Sequence, residues 1–104
     1  MEKVIQKDFR HTKEFKLPTS GITVEMYSSA LVKDTASSFD TTLNDFDKNF
    51  LIIVKVIKSW NLYEKETDST PVAITPDAVK SLPALDFEWL LKEFTEWANE
   101  VKKK

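Results

Sequence analysis

The fold depends most on residues 43–62, which read LNDFDKNFLIIVKVIKSWNL. If these residues are placed on a helix at about 100° per residue, their apolar positions form one stripe roughly 120° wide. The stripe contains Leu43, Phe46, Phe50, Ile53, Val54, Ile57 and Trp60. Ile52 and Val56 widen the stripe on one flank. On the same helical projection, Leu51 lies apart from the stripe among charged residues. The pattern predicts one long helix with more apolar surface than a chain of 104 residues can cover.

A strand is the alternative for residues 50–57, because this stretch is rich in β-branched side chains. We favour the helix because the spacing of three and four residues continues through the whole segment. The helix is expected to begin near Asp40, Thr41 and Thr42, whose oxygens can cap it, with Thr42 and Asp45 at a loose capping-box spacing.

The segment before this helix predicts a β-hairpin over residues 14–28. Phe15 and Leu17 alternate with polar residues, and the same period of two continues from Ile22 to Met26. Between the two runs lies Pro-Thr-Ser-Gly, a turn sequence that ends in Gly21, the only glycine of the chain. Residues 1–12 show no clear period and are expected to be frayed or to form a short strand.

The segment after this helix predicts two further helices. Thr75, Pro76 and Asp77 form a strong start for a short helix, which Pro83 ends. Residues 72–74 could form a short edge strand before it. The last helix, over residues 84–102, has one apolar face formed by Phe87, Leu90, Leu91, Phe94, Trp97, Ala98 and Val101. The predicted fold class is therefore α+β, with an N-terminal hairpin packed on a long apolar helix, a short helix and a C-terminal amphipathic helix.

The composition limits the class of protein. A length of 104 residues predicts a single domain over residues 1–104. The net charge of −2, with Arg10 as the only arginine, argues against nucleic-acid binding. The longest unbroken apolar run, residues 50–54, is far shorter than a membrane span, and no secretory signal precedes it. Together with the absence of cysteine, these features predict a cytoplasmic protein.

No pattern in the sequence predicts an enzyme. His11 is the only histidine and no partner is implied for it, so a solvated side chain is the better interpretation. Asp40, Asp45 and Asp47 surround a helix start without the glycine that a calcium loop usually needs, which favours capping and hydration. One glycine cannot build a glycine-rich phosphate loop. We therefore expect no catalytic residue, no cofactor and no metal.

Two apolar pairs are candidates for contact with another protein. Leu85 and Trp89 lie one turn apart, opposite the main stripe of the last helix. The segment over residues 72–82 could fold over them, or they could form a partner-binding patch. Ile52 and Val56 could likewise be buried under the hairpin or bind a partner. With Leu51, these four residues form the predicted partner-binding set.

Two segments resemble small tail assembly chaperones encoded by siphophages and prophages. The first is Phe15-Lys16-Leu17-Pro18-Thr19-Ser20-Gly21-Ile22-Thr23-Val24, which is similar to an opening that turns one strand into the next. The second begins at Trp60-Asn61-Leu62 and continues, after a charged loop, through residues 71–79 to Leu82-Pro83. Together with their connections they cover roughly two-thirds of the chain. The resemblance implies a chaperone that keeps tape-measure or tail-tube subunits soluble before assembly and that often self-associates.

The predicted function is therefore that of a non-enzymatic phage or prophage tail-assembly chaperone or morphogenesis protein in the bacterial cytoplasm. Its partner would be a tail tube or tape-measure protein, whose apolar segment it would shield, and homo-oligomers are expected. The alternative is a small phage-encoded regulator that binds and inhibits a host enzyme. A nucleic-acid partner and a membrane are not expected.

Overall fold

The computed structural model of the protein describes residues 1–103, apart from the side chains of residues 36–38. In chain order the elements are strands β1 (Thr12–Lys16) and β2 (Thr23–Tyr27), a 3₁₀ helix (Val32–Phe39), helix α1 (Asp45–Val56), strand β3 (Ile57–Trp60), and helices α2 (Pro76–Lys80) and α3 (Ala84–Lys102). The three strands form an antiparallel sheet in the order β1-β2-β3. The α+β class predicted from the sequence is confirmed.

The β1–β2 hairpin has the predicted turn at residues 18–21. Phe15 lies opposite Val24, and both side chains belong to the buried face of the sheet. The Gly21 N–H donates to the Leu17 carbonyl at 2.9 Å, and Gly21 has a φ of 75°. Because side chains other than glycine are strained at such an angle, the glycine is a backbone requirement of this turn.

Helix α1 ends at Val56 and the chain continues directly as β3, so the prediction of one helix through residues 43–62 is wrong beyond Val56. β3 pairs with β2, and Ile57 lies opposite Met26. β-branched side chains tolerate both conformations, but the free edge of β2 offers hydrogen-bond partners that a longer helix would leave unused. The strand alternative for residues 50–57 is also wrong for most of its length, because β3 begins at its last residue.

The chain beyond β3 is held by separate side-chain and backbone hydrogen bonds rather than by a fourth strand. The Trp60 indole N–H donates to the Val72 carbonyl at 2.7 Å, and Asn61 Oδ1 accepts from the Thr23 N–H at 2.8 Å. The Val72 N–H donates to the Leu62 carbonyl at 2.7 Å. The edge strand predicted for residues 72–74 is therefore not formed.

The two predicted helix starts differ in outcome. Thr75 caps α2 as expected, because its Oγ1 accepts from the Ala78 N–H at 3.1 Å. The cap of α1 is Asn44, whose Oδ1 accepts from the Asp47 N–H at 2.8 Å, and not Thr42. Thr42 instead donates its N–H and its hydroxyl to the Asp40 carboxylate, so the predicted capping set forms a separate turn before the helix.

The core lies between the sheet and the helices. It consists of Phe15, Leu17, Val24, Met26, Phe50, Ile53, Val54, Val56, Ile57, Trp60, Val79 and Leu90. The inner face of the sheet and the buried side of α1 supply most of these residues. Phe15 also contacts Trp97 of α3, with ring centres 5.9 Å apart, so the last helix packs on the hairpin.

The chain before β1 forms no strand, as one of the two expectations for residues 1–12 allowed. It is attached to the sheet through Arg10, whose guanidinium lies 3.6 Å from the centre of the Tyr27 ring. Arg10 also donates to the Ser29 carbonyl and forms an ion pair with Asp8 at 2.8 Å.

Candidate protein-binding grooves

The five predicted contact residues differ in how far the fold leaves them open. Val56 is only 1% exposed and belongs to the core, so it is not available to a partner. Leu85 is 70% exposed. Leu51, Ile52 and Trp89 are half-buried, and Leu51 and Trp89 pack against the core. The apolar surplus predicted for residues 43–62 is thus largely hidden, with Phe46, at 63% exposed, as the main exception.

The most exposed aromatic residue of α1 is Phe46, in the first turn of the helix. Its side chain is 63% exposed and stacks on Phe50, with ring centres 6.1 Å apart and planes inclined by 17°. Phe50 in turn contacts Phe87 of α3, with ring centres 5.8 Å apart. The three rings extend from the core to the surface, where Phe46 can contact another molecule.

These rings line an open cleft of about 200 Å³, which we call the aromatic groove. Its lining residues are Phe46, Phe50, Val79, Lys80, Leu82, Ala84 and Phe87. Leu85 follows Ala84 in the first turn of α3 but is not among the residues that line the groove. Such a concave apolar surface is a usual feature of sites that receive a side chain or a peptide segment.

A second cleft of about 420 Å³, the aliphatic groove, lies at the other end of α2. Its lining residues are Leu51, Val54, Lys55, Ile57, Ile74, Thr75 and Pro76. Helix α2 gives its first residue to this groove and its last two to the aromatic groove, so the Thr75 cap helps to shape both. Of the predicted contact residues, Leu51 alone lines either groove.

Asp86 fixes the position of the α3 end that borders the aromatic groove. This carboxylate is fully buried and accepts from the Thr19 N–H at 2.7 Å and from the Ser20 N–H at 3.0 Å. Burial raises the pKa of Asp86, but the hydrogen bonds from Thr19 and Ser20 outweigh burial, so the pKa lies below its usual value. The ionised carboxylate therefore ties α3 to the hairpin turn.

The sequence analysis did not single out Phe46 as exposed, nor Asp86 or Lys80 as part of a site. A signal for Asp86 exists, because a charged residue one turn before Leu90 stands on the apolar side of α3. Phe46 gives no such signal, since it lies within the apolar stripe and looks like a core residue until the neighbouring elements are placed.

His11 and Asp40, two of the polar residues weighed as candidate catalytic or metal-binding residues, take part in hydrogen bonds. His11 is exposed, and its backbone pairs with Ser28. The side-chain and backbone hydrogen bonds from Thr42 hold the pKa of Asp40 below its usual value. Over residues 1–103, no group of three or more acidic or histidine side chains is placed to hold a metal ion.

Comparisons of the chain with protein-family models, with curated proteins and with solved structures found no match. None of the helices in the described part of the chain has the length and apolar character needed to cross a membrane.

Proposed function

We propose that this protein is a non-enzymatic binding domain that shields an apolar segment of a partner protein, as a phage or prophage tail-assembly chaperone would. The partner is a tail tube or tape-measure protein in the bacterial cytoplasm. The observation that supports this proposal is the aromatic groove, in which Phe46 is exposed above the buried Phe50.

The energetic reason is the cost of leaving large apolar side chains in water. Burying a Phe or Leu side chain contributes about 1.5–3 kcal/mol, so covering Phe46 and Leu85 contributes at most about 3–6 kcal/mol. A dissociation constant of about 1 μM corresponds to a net binding free energy of about 8 kcal/mol, which is what remains after the cost of association is subtracted. A partner segment must therefore contact more than these two residues, and the aliphatic groove offers the additional surface.

The test is coexpression with a phage tape-measure or tail tube protein encoded in the same genome. We expect the wild-type protein to keep that partner in the soluble fraction and to copurify with it. Phe46→Glu should reduce both effects, because a carboxylate placed over the Phe50 ring disfavours apolar contact. Phe9→Glu is the matched control, since Phe9 is 60% exposed and lies outside both grooves.

Circular dichroism must show that the Phe46→Glu protein is folded before its binding is interpreted. A folded Phe46→Glu protein that retains the partner as well as wild type would contradict the proposal. Capture of a host enzyme together with failure to retain either tail protein would instead support the regulator alternative. Mass measurements in solution at two concentrations test self-association.

A further inference from the structure

The two grooves share a charge pattern that the composition does not predict. The chain has 17 acidic and 15 basic residues, yet the only charged residue lining each groove is a lysine. These are Lys80 in the aromatic groove and Lys55 in the aliphatic groove. No carboxylate lines either groove, so an occupant would meet apolar side chains and an ammonium group in both places.

Lys80 is directed at the aromatic surface rather than at an acidic neighbour. Its Nζ lies 5.4 Å from the centre of the Phe50 ring, within the range of a cation–π contact. Other basic residues do pair with carboxylates: Lys58 contacts Glu25 at 3.5 Å and Arg10 contacts Asp8 at 2.8 Å. In the part of the chain that the structure describes, neither Lys55 nor Lys80 forms such an ion pair.

A local role accounts for part of this placement. Lys55 and Lys80 lie in the last turns of α1 and α2, where a positive charge interacts favourably with the helix dipole. That role stabilises each helix but does not require the lysine to border an apolar groove. A charge that borders an apolar site selects partners of opposite charge and rejects those of like charge.

We propose that the grooves receive an acidic amphipathic segment of the partner, whose apolar side chains enter the grooves while its carboxylates pair with Lys55 and Lys80. This inference rests on the proposed function and specifies the chemistry of the partner segment.

The test uses two labelled amphipathic peptides of about 18 residues with identical Leu and Phe positions at helical spacing. One peptide carries Glu on the flanks of its apolar face and the other carries Lys. Fluorescence anisotropy at low salt should show about tenfold tighter binding of the Glu peptide, because its carboxylates attract both lysines whereas the Lys peptide is repelled by them. The difference should shrink as salt is added.

The variant Lys55→Glu/Lys80→Glu should lose or reverse this preference. Lys3→Glu/Lys33→Glu changes the net charge equally at exposed residues outside both grooves, so it should keep the preference. An equal loss in the two variants would show that net charge is responsible and would overturn the inference.

Two further outcomes separate this inference from the proposed function. If both peptides bind wild type equally and Phe46→Glu weakens both, the grooves bind apolar segments but the acidic preference is overturned. If neither peptide binds, the acidic preference is overturned too, and the coexpression experiment then decides whether the shielding function survives. A dimer in which a second copy fills the grooves, shown by a mass that falls in Phe46→Glu, would also overturn it.

Discussion

Val56 and Leu85 are both predicted from the sequence to contact a partner, but the structure gives them opposite environments, with exposed fractions of 1% and 70%. Replacing each by alanine therefore tests the separation of core from surface. Val56→Ala removes two buried carbon groups, worth about 1.6 kcal/mol at about 0.8 kcal/mol per group. The incompletely filled cavity adds about 1 kcal/mol, and the higher helix propensity of alanine offsets a few tenths.

The expected result is a fall of about 2–3 kcal/mol in the free energy of unfolding for Val56→Ala. That is a large share of the roughly 5–15 kcal/mol typical of a small domain. Leu85→Ala should change stability by less than about 0.5 kcal/mol, as expected for an exposed site.

Urea denaturation followed by tryptophan fluorescence measures both variants, because Trp60, the last residue of β3, is buried and becomes solvated on unfolding. The slope of the free energy against urea should not change, which would show that the same surface is exposed. Equal stabilities of Val56→Ala and wild type would refute the reasoning, because Val56 could not then be packed as described. A loss above 1 kcal/mol in Leu85→Ala would show that Leu85 is covered.

Two further predictions concern the hairpin turn. Hydrogen bonds hold the folded-state pKa of Asp86 below its ordinary value of 3.8, so the unfolded chain takes up a proton first as the pH falls. The stability that the ionised carboxylate contributes is therefore present above about pH 3.8 and is lost as the pH falls through the lower folded-state pKa. Between pH 7 and pH 2.5 the urea midpoint should fall more steeply for wild type than for Asp86→Asn, which is already less stable at pH 7. Parallel curves would contradict this assignment. Gly21→Ala should lower stability by about 1–2 kcal/mol, because φ is 75° and an added Cβ meets no atom within 4 Å, so backbone strain is the only cost. An alanine variant as stable as wild type in thermal unfolding would show that the turn adopts another conformation.

The sequence predicts those parts of the fold that local chemistry determines. The hairpin and its turn follow from the alternation on either side of residues 18–21, and the start of α2 follows from Thr75 and Pro76, since turn and cap signals act over a few residues. Asn44 displaced Thr42 as the cap of α1 because several neighbouring residues can cap, and only the path of the chain selects one of them.

The end of α1 could not be predicted in the same way. Residues 50–57 fit a helix or a strand by their side chains, and the hydrogen-bonding edge of β2 decides between the two from about thirty residues away. The grooves depend on the same kind of information: Phe46 and Phe87 meet at one cleft only because α1 and α3 are brought together by the sheet. No local sequence pattern predicts that Leu51 lines a groove whereas Val56 is buried in the core.

The bond between Asp86 and the hairpin turn also bears on the order in which the protein folds during synthesis. The Thr19 and Ser20 N–H groups donate to Asp86, which lies 67 and 66 residues further along the chain, whereas the sheet and α1 are complete by Trp60. When the sheet has left the ribosome but α3 has not, the hairpin turn therefore lacks its carboxylate partner, and the hairpin surface against which α3 packs is exposed. Any delay between the emergence of the sheet and the release of α3 would lengthen that interval, and with it the exposure of the nascent chain to proteases and to misfolding.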